Sequence, residues 1–187
     1  MKITLVRHGE VEEAYIGKYN GHNDIGLSKK GHEDAKNLAK AFTCKAFDLV
    51  YCSDLRRAKE TLATFSQAKN AVYTSKLREK SWGRDEGMGF DEIRAQGIEY
   101  ENFAQWIKAL DGEPYEKYMQ RVKAFFFKEL PVQKGENILV VTHAGVIRTL
   151  MAIVQNLSLE DAFAIALPYA SYTVYDTKLQ TFSTIKT

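Results

Sequence analysis

Four short apolar runs punctuate the chain: Ile3 to Val6, Phe47 to Cys52, Ala71 to Thr74 and Ile138 to Thr142. Each is near-continuous rather than alternating, the pattern of a strand covered on both faces. Between them apolar positions recur at helical spacing. Ser28 is an N-cap candidate, with Ala35, Leu38, Ala39 and Phe42 on one face beyond it. Leu55, Ala58, Leu62 and Phe65 form a second stripe. Pro114 suits a first helical turn, and Tyr118, Val122 and Phe125 follow at helical spacing. Gly145 to Leu157 is apolar nearly all round, as a buried helix is. Tyr172 to Tyr175 and Phe182 to Ile185 flank Asp176-Thr177-Lys178 as a hairpin would. Strands alternating with helices predict an α/β fold: a three-layer αβα sandwich on a mostly parallel sheet, with an antiparallel C-terminal part.

In such sheets ligands bind outside the carboxyl ends of the strands. The first strand runs into Arg7-His8-Gly9-Glu10, the second into Ser53-Asp54-Leu55-Arg56-Arg57-Ala58, and the last into Thr142-His143-Ala144-Gly145. The third leads on to Leu77-Arg78-Glu79. Taken singly, each residue reads as ordinary: a hydrogen-bonding His, a solvated Arg, a loop carboxylate. Together at one sheet edge they make a site. Converging guanidinium forks suit a phosphate dianion, and a helix opening at Gly145 adds backbone N–H groups. A neutral imidazole can attack phosphorus, and a nearby carboxylic acid can protonate the leaving oxygen. No Cys-x5-Arg loop, binuclear-metal spacing or Walker A sequence is present.

Composition narrows the classes further. The chain has 187 residues, 45% of them hydrophobic and 27% charged. That length implies one domain with a core of its own. With 26 Lys+Arg against 24 Asp+Glu the net charge is +2, without the basic excess of a nucleic-acid-coating protein. Ten Phe and ten Tyr argue against disorder. Cys44 and Cys52 do not make a disulfide scaffold or a zinc site, and two reduced thiols fit a reducing compartment. No run is apolar enough for a membrane span, and Lys2 to Val6 is too short for a signal-peptide core. The expectation is a soluble cytoplasmic protein. The sequence does not set its oligomeric state.

Leu5-Val6-Arg7-His8-Gly9-Glu10 resembles the nucleophile motif of the histidine phosphatase superfamily, the phosphoglycerate-mutase-like proteins. Asn20 to Ser28, with Gly31, is similar to the family's G-x-x-D-x-x-L-S/T-x-x-G stretch. Ser53 to Thr61 matches S-x-L-x-R-A-x-x-T, which puts Arg57 rather than Arg56 at the functional position. Leu77-Arg78-Glu79 with Trp82-Gly83 resembles the acid motif, and Val141 to Arg148 the second-histidine motif. The resemblance implies a phosphoglycerate-mutase-like fold over residues 1–187, with a cap near 80–115. It makes His8 the nucleophile and Glu79 the proton donor. Arg7, Arg57 and His143 would hold the phosphoryl oxygens. No cofactor or metal is implied, because Arg and His supply the positive charge. The partner would be a small phosphorylated metabolite, with no nucleic acid and no membrane.

Three positions depart from the family pattern. Val11 replaces the usual Thr or Ser, Ala14 a common Asn, and Lys18 a common Arg. Lys18, Asn20, Gly21 and Ala144 are the candidate substrate contacts. His22 is expected at the surface and His32 facing solvent. Phe125-Phe126-Phe127 is expected to be core plus an edge contact. Trp82, Tyr100 and Trp106 flank the region that caps the site in relatives, and some of them are expected over the leaving group. Mutases resembling this motif set carry an insertion after the acid motif, and Gly83 to Glu113 leaves no room for it. That favours a phosphatase over a mutase. Asn20-Gly21-His22, Trp106 and Asp111-Gly112-Glu113 before Arg121-Val122 are most similar to phosphatases acting on α-ribazole 5′-phosphate in cobalamin synthesis. The alternatives are a mutase-type phosphotransferase, a broad sugar phosphate phosphatase, and a non-catalytic phosphate-binding protein.

Overall fold

The computed structural model describes all 187 residues. Six strands form one sheet: β1 (Lys2–Arg7), β2 (Leu49–Ser53), β3 (Val72–Thr74), β4 (Asn137–Thr142), β5 (Tyr172–Asp176) and β6 (Thr181–Phe182). Their spatial order is β3-β2-β4-β1-β5-β6. The pairs β1–β4, β2–β4 and β2–β3 are parallel, whereas β5 runs antiparallel to β1 and β6. The mixed α/β sheet expected from the pattern is therefore present.

Alternate residues of the central strands feed two cores. Ile3, Leu5, Ile138 and Val140 face one side, where they pack with Tyr118, Val122 and Phe125 of α5 (Tyr115–Ala124) and its following turn. Val146, Ile147 and Leu150 of α6 (Ala144–Gln155) join them. Val6, Val50, Cys52, Leu139 and Val141 face the other side. There they meet Leu38 of α1 (Lys29–Lys40), Phe42 just beyond it, and Ala58 and Leu62 of α2 (Arg56–Leu62). Burial on both faces is why these strands read as continuous apolar runs. Ser28 caps α1 as expected, its Oγ accepting from the Gly31 N–H at 2.9 Å.

Three strands differ from the sequence expectation. β6 is the two residues Thr181–Phe182 rather than Phe182 to Ile185. β3 lies at the sheet edge, and Val72 and Tyr73 are 51% and 47% exposed rather than buried. Only β2 flanks it, so it has a strand neighbour on one side alone. β2 begins at Leu49, because Phe47 turns aside to pack on Phe42 at 6.1 Å between ring centroids. Phe125 and Phe126 are buried while Phe127 is partly exposed.

A third, smaller cluster stands apart from the sheet. It joins Trp82, Ile93, Trp106, Ile107 and Leu110, drawn from α3 (Phe90–Arg94), α4 (Phe103–Ala109) and their loops. This is the segment expected to cap the site. A further short helix, α7 (Leu159–Ala164), has no counterpart in the apolar pattern, although Ser158 caps it by accepting from the Asp161 N–H at 3.0 Å.

Candidate active site

Strand register sets the height of the site. Arg7 pairs with Thr142, and Cys52 with Val141, so Arg7, Ser53 and Thr142 end level at one sheet edge. His8 and His143 are the residues that follow β1 and β4, and their rings stand 5.1 Å apart.

His8 is held by its backbone on both sides. Its N–H donates to the Thr142 carbonyl at 3.0 Å, and its own carbonyl accepts from the Ala170 N–H at 3.0 Å. The ring Nδ1 lies 2.7 Å from the Gly9 carbonyl. A carbonyl only accepts, so Nδ1 carries the proton and Nε2 keeps its lone pair. Burial, and then the Arg57 and Arg7 charges, hold the His8 pKa well below the usual imidazole value. The ring is therefore neutral, with a free nucleophilic nitrogen at Nε2. The turn after it needs glycine: a Cβ on Gly9 would stand 2.6 Å from the Gly31 carbonyl at the start of α1.

Arg57 comes from the first turn of α2 and is 1% exposed. Its guanidinium donates to the carbonyls of Asn23 (2.9 Å), Asn20 (3.1 Å) and Gly21 (2.7 Å), and Nε donates to His143 Nδ1 (3.3 Å). Five N–H groups are available, so one remains free, on Nη1. Burial pulls its pKa down to about 10, which leaves it charged at neutral pH. Asn20 and Gly21 thus meet Arg57 through their carbonyls. Asn20 also lines the pocket; Gly21 is not part of the lining.

Arg7 is packed over the Tyr169 ring at 3.8 Å and donates through Nη1 to the Leu167 carbonyl. Its Nε–H is buried without a protein partner. His143 is fully buried behind Arg57. Its Nδ1 accepts from Arg57, so its Nε2–H donates to Ser53 Oγ at 2.8 Å. Burial and the Arg57 charge hold it neutral as well. Both its nitrogens are engaged, and it supports Arg57 rather than lining the pocket.

Glu79 reaches the pocket from the loop after β3. Its Oε2 accepts from the Gly145 N–H at 2.9 Å, and its Oε1 from the Tyr118 hydroxyl and the Lys80 N–H, each at 2.9 Å. Glycine at 145 allows this approach, because a Cβ there would run into the Glu79 carboxylate and displace it. His22 lies against this segment and not at the open surface, its Nε2 donating to the Glu79 carbonyl at 3.0 Å. His32 is half-buried, 3.6 Å from Glu60.

These residues open into one cavity of about 220 Å³. Arg7, His8, Arg57, Glu79 and Ala144 form its floor, and Lys18 and Asn20 its rim. Lys18 is paired with Glu92 of α3 at 2.9 Å. The far wall is apolar: Val11, Tyr19, Trp82, Phe103, Ile107 and Phe163. Of the three candidate aromatics, Trp82 lines the cavity. Trp106 stands behind it, donating to the Tyr19 hydroxyl at 2.7 Å, and Tyr100 packs on Trp106.

Sequence reasoning gave no role to Arg148, although it closes the second-histidine motif, nor to Tyr169 or Lys80. Arg148 lines the cavity one helical turn after Ala144 and donates from Nε and Nη2 to the Ile165 carbonyl. Its spacing from Ala144 was the available signal. Lys80 is buried against the Trp82 ring at 4.1 Å, and burial pushes its pKa down to about 8. Nothing in the local sequence marks either Lys80 or Tyr169.

The chain is 32% identical over 160 residues to an adenosylcobalamin/alpha-ribazole phosphatase of Escherichia coli (strain K12), covering 81% of this chain and 78% of the relative. It is 31% identical over 188 residues to a 2,3-bisphosphoglycerate-dependent phosphoglycerate mutase of Parvibaculum lavamentivorans, covering 93% and 89%. A crystal structure of the alpha-ribazole phosphatase from Shigella flexneri matches with a TM-score of 0.83 at 27% identity, over 98% of this chain and 94% of that one. The mutase relative is matched over nearly its whole length, so length alone does not separate the two activities. Residues 3–186 match the family model of the histidine phosphatase superfamily, branch 1, and with the motif residues gathered at one sheet edge the chain belongs to that superfamily.

Proposed function

We propose that this chain hydrolyses phosphomonoesters through a phosphohistidine on His8, and that its substrate is α-ribazole 5′-phosphate in cytoplasmic cobalamin synthesis. One observation carries the mechanism: a buried, neutral His8 with Nδ1 committed to Gly9 presents the Nε2 lone pair beside guanidinium groups.

The equatorial phosphoryl oxygens would take the unpartnered Arg7 Nε–H and the remaining Arg57 N–H. Charge on those oxygens needs fixed positive groups more than covalent help. His8 Nε2 attacks phosphorus as the ester P–O bond breaks, and protonated Glu79 gives its proton to the leaving oxygen. Water then attacks the phosphohistidine and loses its proton to Glu79. The P–N pair returns to Nε2. His143 acts through Arg57, holding its Nε so that the fork stays aimed.

The substrate assignment is supported by the similarity to alpha-ribazole phosphatases and by the cavity wall. Trp82, Phe103, Phe163 and Ile107 suit a flat, uncharged leaving group such as a nucleoside. The two unpaired cysteines and a set of helices none of which is long and apolar enough to cross a membrane accord with a cytoplasmic enzyme. The test is a phosphometabolite screen in excess EDTA that includes α-ribazole 5′-phosphate. The expected result is highest kcat/KM on that ester. Preference for another phosphomonoester would overturn the substrate, and no turnover on any would overturn the phosphatase. Mutase-type transfer is the second reading, favoured by the Parvibaculum similarity. It requires activity that depends on a bisphosphate primer.

A further inference from the structure

Glu79 is gripped by donors from three segments. Oε1 accepts from both the Tyr118 hydroxyl and the Lys80 N–H, whereas Oε2 accepts from Gly145 alone. A carboxylate has about four lone-pair sites, two on each oxygen. Both sites on Oε1 are filled, and the one left over is on Oε2.

Tyr118 is a built part of this grip. It is 0% exposed on α5. One turn on, Arg121 donates to the carbonyls of Lys76, Arg78 and Glu79 and pairs with Glu113 at 2.7 Å. The same helix face therefore fixes both the backbone and the carboxyl of the acid segment. Burial, with the nearby Glu79 charge, holds the phenol well above its usual value, so Tyr118 stays a donor across the working pH range.

We propose that Tyr118 is a positioning residue that fills Oε1 and thereby assigns the transferable proton of Glu79 to Oε2. The inference rests on Glu79 being the acid of the reaction proposed above. In the first step the Oε2–H bond breaks as the leaving oxygen gains that proton, the ester P–O bond breaks and P–Nε2 forms. Oε2 keeps its bond from Gly145 throughout. In the second step the water proton returns to Oε2 as the new P–O bond forms and the pair of the P–N bond goes back to His8. Without the hydroxyl, Oε1 has an open site and the proton divides between the two oxygens, one of which faces away from the leaving group.

The test is Tyr118→Phe, read as kcat/KM on an alkyl phosphomonoester and on p-nitrophenyl phosphate. This parameter reports the phosphorylation step, where only the alkyl leaving group needs a proton. The expected result is a fall of about tenfold for the alkyl ester and a change of no more than about twofold for the nitrophenyl ester. Equal losses on both esters, as a merely structural role would give, or an unchanged ratio would overturn the proposal. Tyr118→Met, which also lacks the hydroxyl but packs differently, repeats the measurement should the Phe variant fold poorly. In a Glu79→Gln background, which has no transferable carboxyl proton, Tyr118→Phe is expected to leave the ratio of the two esters unchanged; a further drop would overturn it. Turnover by the unaltered enzyme tests the phosphatase reading and the ratio tests Tyr118, so the two failures are distinct.

Discussion

Burial between two guanidinium groups keeps the His8 imidazole neutral where a free histidine would already carry a proton. His143 is in the same condition, enclosed and beside Arg57. This has a cost in acid that can be signed. In the unfolded chain both imidazoles protonate near about pH 6.5. In the native state they do so only well below that. Between those values the unfolded state binds more protons, so stability is full above the unfolded pKa and falls as pH drops toward the folded one. The melting temperature is expected to decline from about pH 6.5 downward. The double variant His8→Asn, His143→Asn is expected to decline less steeply. Equal slopes would mean that the two rings are not held neutral. At this scale the site was partly legible. Arg57 could be separated from Arg56 because motif spacing fixes one position and the local helix the other. Tyr169 and Tyr118 could not, since the Arg7 and Glu79 groups they meet come from segments far away in the chain.

Helix α6 supplies the opposite side of the site. Its first turn brings the Gly145 N–H onto Glu79 Oε2, and the absence of a side chain there lets the carboxylate approach. Gly145→Ala would place a methyl where the carboxylate lies. Alanine suits a helix interior, so the fold should be retained while the acid is displaced. The expected outcome is a loss of about 100-fold in kcat/KM on an alkyl ester, with a melting temperature close to that of the unaltered protein. Loss of folding instead of activity would contradict this placement. Elements differed in how plainly the chain announced them. β1 and β4 were legible because neighbours on both faces make their central positions nearly all apolar. β3 read as buried because apolar content cannot say that a strand lies at an edge. The cap helices α3 and α4 are five and seven residues long, too short to repeat an apolar period, so only their aromatic residues stood out.

Over the whole molecule a net charge of +2 conceals a concentrated cationic site. Arg7, Arg57 and Arg148 line the cavity with no carboxylate within salt-bridge distance, and Glu79 is its one acidic lining residue. Such a field draws a small dianion inward and is weakened by salt. Raising ionic strength is expected to increase KM several-fold with little change in kcat; a salt-independent KM would place the charge contribution elsewhere. The order of strands was not readable from composition, but the convergence of four motifs was, because each follows a strand and parallel strands must end together. The central claim, that phosphate passes through His8, has one direct measurement. Rapid quench after mixing enzyme with a phosphate-labelled ester should trap label on the protein that is labile in acid and stable in base, mapped to His8 and missing in His8→Ala. Turnover with no trapped phosphoenzyme under burst conditions, or label retained in His8→Ala, would contradict the account.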